Sequence, residues 1–164
     1  MKRELRRWEI VGFIATGLFG TLLHFVYEWS GGNRVVAAFS AVNESTWEHM
    51  KVEFIVFSEA FRNFFAVKAA SILLGLVSIP ALFYTLTGMF GKLPDWVNIT
   101  IFFLADALLY FVSYRLLTDG TLRGGAMQLI GFVLLWALLF AFVRFTYRPP
   151  HLPLFLDPVS GCYG

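Results

Sequence analysis

The residues most able to do chemistry form one polar run between apolar stretches. From Asn43 to Lys51 the chain reads N-E-S-T-W-E-H-M-K, with two glutamates and a histidine. A charged side chain at membrane depth costs about 3 kcal/mol, so such a cluster indicates a functional site. In a helix Glu44 and Glu48 would lie one turn apart, near His49, and these side chains could bind a cation or transfer protons.

Helix capping is a second interpretation of the same run. The residues from Ser45 to Glu48 have the S-x-x-E form of a capping box, and Asn43 is an alternative N-cap. Capping explains the polar residues Asn43, Ser45 and Glu48. It does not explain Glu44, His49 and Lys51. The two interpretations are compatible, because a helix that begins at membrane depth makes the cavity at its N-terminus polar.

A second pair of candidate ligands lies in the first apolar stretch. His24 and Glu28 are four residues apart, which places them on one helix face, with Tyr27 alongside. Trp29 and Tyr27 also suit an aromatic belt at the membrane interface. In that alternative Glu28 lies near the headgroups and His24 only forms a hydrogen bond inside the bundle.

Asp106 lies in the middle of a later apolar stretch, where an aspartate rarely faces lipid. We predict that it faces the interior of the bundle. Lys68 and Arg144 are possible ion-pair partners, although both lie near predicted helix ends. Their long side chains are predicted to extend to the interface instead.

The composition indicates an integral membrane protein. Of 164 residues, 58% are hydrophobic and only 15% are charged, against about 25% in soluble domains. The net charge of +2 is too small to indicate nucleic-acid binding, so membrane lipids are the expected partners. Cys162 is the single cysteine, which excludes an intrachain disulfide and a cysteine-rich metal site.

Four apolar stretches are long enough to cross a hydrocarbon core, which requires about 20 helical residues. The first follows a basic start at residues 1–7 and is too long for the apolar part of a signal peptide, so we predict a retained span. Short segments with glycine, proline or charge separate the others. The stretches are Trp8 to Trp29, Ala66 to Phe90, Trp96 to Leu117 and Ala126 to Phe145.

The segment from Val35 to Phe65 is either a span that is short or broken at the polar run, or a surface helix followed by a short span. Five crossings place the N-terminus and the basic turns at Arg62 to Lys68 and Arg115 to Arg123 on the cytoplasmic side, which the positive-inside rule favours. We therefore predict an all-α bundle of about five transmembrane helices in a single domain, 1–164. Residues 147–164 would form an external tail, structured as a loop over the bundle end.

The polar run is one of four distinctive stretches in this chain. They run from His24 to Asn33, from Asn43 to Lys51, from Ala69 to Thr85 and from Pro153 to Gly164. Together they resemble a family of small bacterial multi-pass membrane proteins that carry a domain of unknown function. The motif N-E-S-x-W-E-H-x-K is the most specific part of the resemblance. The resemblance implies a multi-pass fold in the bacterial inner membrane, and it implies no particular activity.

Three function classes fit these residues. In the first, a metal-dependent membrane enzyme, Glu48 and His49 are catalytic, and zinc, iron or manganese is bound by His24, Glu28, Glu44 and His49. In the second, the same residues relay protons or coordinate a cation in a small transporter or channel. It would be a homo-oligomer, since five helices enclose little volume. The third class is a structural or accessory membrane subunit.

We predict that the first span and the polar run meet around one shared polar cavity. The turn from Ser30 to Asn33 is short, and the polar groups on both sides of it are too polar to face lipid. Mutual burial of these groups is therefore the most favourable arrangement. Four further side chains are predicted to line the same cavity, namely Asn43, Ser45, Lys51 and Asp106.

Overall fold

Long helices form along the apolar stretches of the sequence, and one of them continues through Pro80. The structure, a computed structural model, describes residues 2–42, 63–157 and 160–163. In these ranges the helices are α1 (Lys2–Trp29), α2 (Arg34–Ala37), α3 (Phe64–Phe90), α4 (Asp95–Asp119) and α5 (Gly125–Tyr147), followed by a 3₁₀ turn at Pro153–Phe155. The predicted all-helical class is confirmed for the described part of the chain.

Three of these helices, α3, α4 and α5, are long and apolar enough to cross a membrane. They have 27, 25 and 23 residues. At a rise of 1.5 Å per residue they extend about 34 to 41 Å, more than the hydrocarbon core of about 30 Å. The three later predicted stretches are therefore confirmed as helices, each of which begins one or two residues before its predicted start.

An asparagine lies directly before two of the helices. Asn33 caps α2, because its Oδ1 accepts a hydrogen bond from the backbone N–H of Val35 at 2.9 Å. Asn63 precedes α3, and its amide Nδ2 donates to the carbonyl oxygens of Leu116 at 3.1 Å and Thr121 at 2.8 Å. Asn63 thereby ties the start of α3 to the end of α4.

The helices pack in the order α1, α4, α3, α5, each against the next. Gly131 on α5 allows this helix to approach α3 closely. A Cβ atom at Gly131 would lie 2.6 Å from the Cα of Ala66 on α3, closer than real Cβ atoms come. The central core consists of apolar residues from α3, α4 and α5, with Phe155 from the tail.

The two ends of the bundle can be told apart from their contacts. Leu5, Val67 and Leu117 pack together, so the starts of α1 and α3 and the end of α4 lie at one end, here called the N-terminal end. At the opposite end, here called the tail end, the Tyr147 hydroxyl donates to the backbone carbonyl of Arg34. The end of α5 and the start of α2 therefore lie together.

The described part of the tail is a structured loop, as predicted. The Phe155 ring is buried in the core and lies 5.5 Å from the Phe145 ring. Leu156 pairs with Tyr163 across a single antiparallel bridge, and the Ser160 hydroxyl donates to the Asp157 carboxylate at 2.6 Å. These contacts hold the loop over the tail end.

Candidate functional site

A buried ion pair joins three helices near the N-terminal end. Lys68 on α3 is 2% exposed and Glu9 on α1 is 5% exposed. The Lys68 ammonium donates to the two carboxylate oxygens of Glu9 at 2.8 and 3.1 Å, and to the Ser113 hydroxyl on α4 at 2.7 Å. Ser113 in turn donates to Glu9 Oε1 at 3.0 Å. Lys68 and Glu9 therefore each have a partner of opposite charge and a hydrogen bond with the Ser113 hydroxyl.

The prediction that Lys68 extends to the membrane interface is wrong. The side chain points into the bundle because a buried carboxylate, Glu9, lies opposite it on α1. A paired ammonium can stay buried, whereas an unpaired one would extend to water. Lys68 therefore has a partner 59 residues away in the sequence.

Tyr110 lies beside the ion pair, on the same face of α4 as Ser113. The Lys68 Nζ lies 5.6 Å from the centre of the Tyr110 ring, within the range of a cation–π contact. The Tyr110 hydroxyl and the Thr16 hydroxyl on α1 are 2.9 Å apart and share a hydrogen bond. Gly12 makes room for the ring, because a Cβ there would lie 2.6 Å from Tyr110 Cε1.

Asp106 is the second buried acid of this interior. Its exposed fraction is 0%, and neither carboxylate oxygen has a hydrogen-bond partner among the described residues. The interior position predicted for Asp106 is therefore confirmed. The predicted partners do not pair with it, because Lys68 binds Glu9 and Arg144 is exposed.

The buried polar groups of α4 form one stripe. Asp106, Tyr110 and Ser113 follow the spacing i, i+4 and i+7, which places them on one helix face. Seven residues span about 10.5 Å along the axis. The stripe therefore connects an acid in the middle of α4 with the ion pair near the N-terminal end.

Most of the predicted metal site and of the predicted polar cavity lies outside the described residues. This applies to Asn43, Glu44, Ser45, Glu48, His49 and Lys51, and to the side chain of His24. Glu28 is exposed near the end of α1, next to Trp29, which is 71% exposed; this position fits the interfacial alternative. Within 2–42, 63–157 and 160–163, no three His, Cys, Asp or Glu side chains could hold a metal ion. The zinc, iron or manganese site and the shared cavity stay predictions.

The sequence patterns indicated neither Glu9 and Ser113 of the ion pair nor the buried Asn63 at the start of α3. Glu9 lies two residues after the basic start at 1–7 and therefore resembles an interfacial charge. The spacing of residues could have indicated that Glu9 is buried, because Glu9 lies on one helix face with Leu5, Gly12 and Thr16. That face is buried, whereas the neighbouring Trp8 and Ile10 are more than half exposed.

The outer surface of the helices suits contact with lipid. Large apolar side chains are exposed along α1 and α5, such as Leu18 at 63% and Phe140 at 70%. A cleft of about 240 Å³ opens between α3 and α5, and aromatic and aliphatic residues line it together with Lys68. Apolar surface of this extent would be unfavourable in water.

No curated protein and no solved structure matches this chain. A model of a family of unknown function, DUF6512, matches residues 1–164, which is the whole chain. The family description supplies no activity, so any function has to be argued from the buried polar groups. Three long apolar helices agree with the multi-pass membrane fold that the resemblance implied. The protein belongs to the DUF6512 family.

Proposed function

We propose that this protein is a cation-linked membrane transporter or channel in which Asp106 is the cation-binding group. The observation that carries the proposal is the complete burial of a carboxyl group that has no partner among the described residues. An ionised carboxylate without a partner is strongly unfavourable in a low-dielectric interior. Asp106 must therefore hold a proton or another cation, and a group that takes up and releases a cation at mid-membrane suits a transport pathway.

The ion pair supports the same function. Glu9, Lys68 and Ser113 extend the polar stripe from Asp106 towards the N-terminal end. A structural subunit gains little from such groups, since an apolar core of similar volume is often equally stable. The metal-dependent enzyme has no support among the described residues, although Glu44, Glu48 and His49 lie outside them.

We also propose five spans with the N-terminus in the cytoplasm of a bacterium. Arg34 lies at the tail end, whereas Asn63 lies at the N-terminal end beside Leu116. Arg34 and Asn63 therefore lie at opposite ends of the bundle, which supports one further crossing between them. α1 has 28 residues, about 42 Å, and exposes apolar side chains to the surroundings, which supports its crossing as well.

Cysteine labelling of sealed membranes tests this topology. Cys162 is exposed in the tail and serves as one probe, and Arg3→Cys in a Cys162→Ser background serves as the other. We expect an impermeant thiol reagent to reach the two positions from opposite sides of the membrane. Labelling of both from the same side would contradict five spans.

Transport by the reconstituted full-length chain tests the cation site. We expect wild-type liposomes to carry a cation flux, measured with dyes for internal pH and Na⁺, and Asp106→Asn to reduce this flux to that of empty liposomes. Asn keeps the size of the side chain but cannot release a proton or bind a cation by charge. Asp119→Asn is the matched control, because Asp119 is an exposed acid on the same helix.

Two results would overturn the proposal. One is a wild-type flux equal to that of empty liposomes, and the other is an unchanged flux in Asp106→Asn that still elutes as folded protein. Element analysis of the same preparations tests the metal alternative. Stoichiometric zinc, iron or manganese that is lost in His49→Ala would favour the enzyme.

A further inference from the structure

We infer that the transported cation is a proton, and that Asp106 and Glu9 share one exchangeable proton with Lys68 as their common counter-charge. This inference rests on the proposed function and names the substrate of the same site. It concerns the interior between α1, α3 and α4. The titratable groups that face this interior from the described parts of these helices are Glu9, Lys68, Asp106 and Tyr110.

Charge neutrality requires one proton on the two acids. If Asp106 is protonated and Glu9 is ionised, the single negative charge is balanced by the ammonium of Lys68. If the proton moves to Glu9, the negative charge on Asp106 is balanced by the same ammonium. Two ionised acids or two neutral acids would leave an uncompensated charge in a low-dielectric interior, which is costly. The fixed charge of Lys68 therefore couples the two acids.

Two residues with hydroxyl groups, Tyr110 and Ser113, follow Asp106 on one face of α4, and Ser113 already donates to Glu9 at 3.0 Å. Asp106 has no hydrogen-bond partner among the described residues, so a water molecule or a rotation of its side chain has to join it to these hydroxyl groups. A hydroxyl can accept a proton on its oxygen and release its own, so no charge stays on it. In one transfer the O–H bond of Asp106 breaks and an O–H bond forms on a carboxylate oxygen of Glu9. The proton then leaves Glu9 for water at the N-terminal end.

A metal cation fits this interior less well than a proton does. A metal ion requires several oxygen or nitrogen ligands. The described residues offer no group of three acids, histidines or cysteines. The buried ammonium of Lys68 would also repel a second cation, whereas it stabilises each carboxylate after a proton has left.

Infrared spectroscopy of the full-length protein in lipid bilayers measures this coupling directly. A protonated carboxyl group has its own carbonyl band, and we expect Asp106→Asn to remove one such band from the wild-type spectrum. We expect Glu9→Gln to remove the same band, because Asp106 is then the only acid left to balance Lys68 and becomes ionised. Gln keeps the shape of Glu9 and can still accept a hydrogen bond from Lys68.

Lys68→Met tests the same coupling by removing the counter-charge instead of one of the acids. Without the ammonium both acids are neutral, so we expect one additional protonated band relative to wild type. Asp119→Asn, on the exposed part of α4, should leave the spectrum unchanged. The inference is overturned if the band assigned to Asp106 persists in Glu9→Gln, or if Lys68→Met adds no band.

The transport assay separates this inference from the proposed function. A wild-type flux that follows Na⁺ and leaves the internal pH unchanged would overturn the proton while keeping Asp106 as a cation site. A flux of protons that is lost in both Asp106→Asn and Glu9→Gln is the expected result. The absence of any flux would contradict the proposed function itself, and the infrared bands would still decide whether the two acids share a proton.

Discussion

Replacing Lys68 with alanine is expected to lower the free energy of unfolding by about 3 to 5 kcal/mol. The substitution removes the counter-charge of the buried Glu9, which can then stay buried only by taking up a proton. The Ser113 hydroxyl alone cannot replace the two hydrogen bonds that Lys68 donates to Glu9. Unfolding of the purified protein in detergent micelles, followed by circular dichroism, measures this loss.

The exposed pair on α4 provides the control for Lys68→Ala. Arg115 lies 3.9 Å from Asp119, and both side chains are more than half exposed. Arg115→Ala should therefore change the free energy of unfolding by about 0 to 1 kcal/mol. Equal losses in Arg115→Ala and Lys68→Ala would show that the buried pair contributes no more to the free energy of unfolding than the exposed pair does. The double variant Glu9→Gln/Lys68→Met, which removes both charges, should be more stable than Lys68→Ala.

Gly131→Ala is expected to destabilise the protein by about 1 to 3 kcal/mol, although alanine is the better helix former. The added Cβ would lie 2.6 Å from the backbone N and Cα of Ala66, so α3 and α5 have to move apart. The same unfolding measurement detects the loss.

Gly88→Ala, on α3, is the matched control for Gly131→Ala. No atom lies within 4 Å of a Cβ at Gly88, so only the helix preference of alanine acts there. We expect Gly88→Ala to raise the free energy of unfolding by about 0.5 to 1 kcal/mol. If both substitutions changed stability in the same direction, the close contact between α3 and α5 would be refuted.

The long helices were predictable because their signals are local. Long apolar stretches require a helix in a membrane. Gly91 and Gly120 follow the ends of α3 and α4, and Pro94 precedes the start of α4, as the sequence indicated. The interior position of Asp106 was predictable for a related reason. The side chain of a lone acid at mid-span is stable only when it points into the bundle and away from lipid.

The ion pair was not predictable from local patterns. Glu9 and Lys68 are 59 residues apart, and each lies near a helix start, where charged side chains usually reach water. Only the packing of α1 beside α4, with Tyr110 fitted against Gly12, brings the two charges together. For the polar run, His49 and its neighbours lie outside the described residues, so their convergence with His24 stays a prediction.

The separation of Glu9 from its partners also sets the order of events during biosynthesis. Lys68 emerges from the ribosome 59 residues after Glu9, and Ser113 emerges 104 residues after it. While the first helix waits in the translocon, its carboxylate has no counter-charge and has to stay protonated or in contact with water. If α1 crosses the membrane as proposed above, its release into the bilayer as a charged helix becomes favourable only after α3 arrives. We expect membrane insertion of this chain to be cooperative across helices rather than sequential.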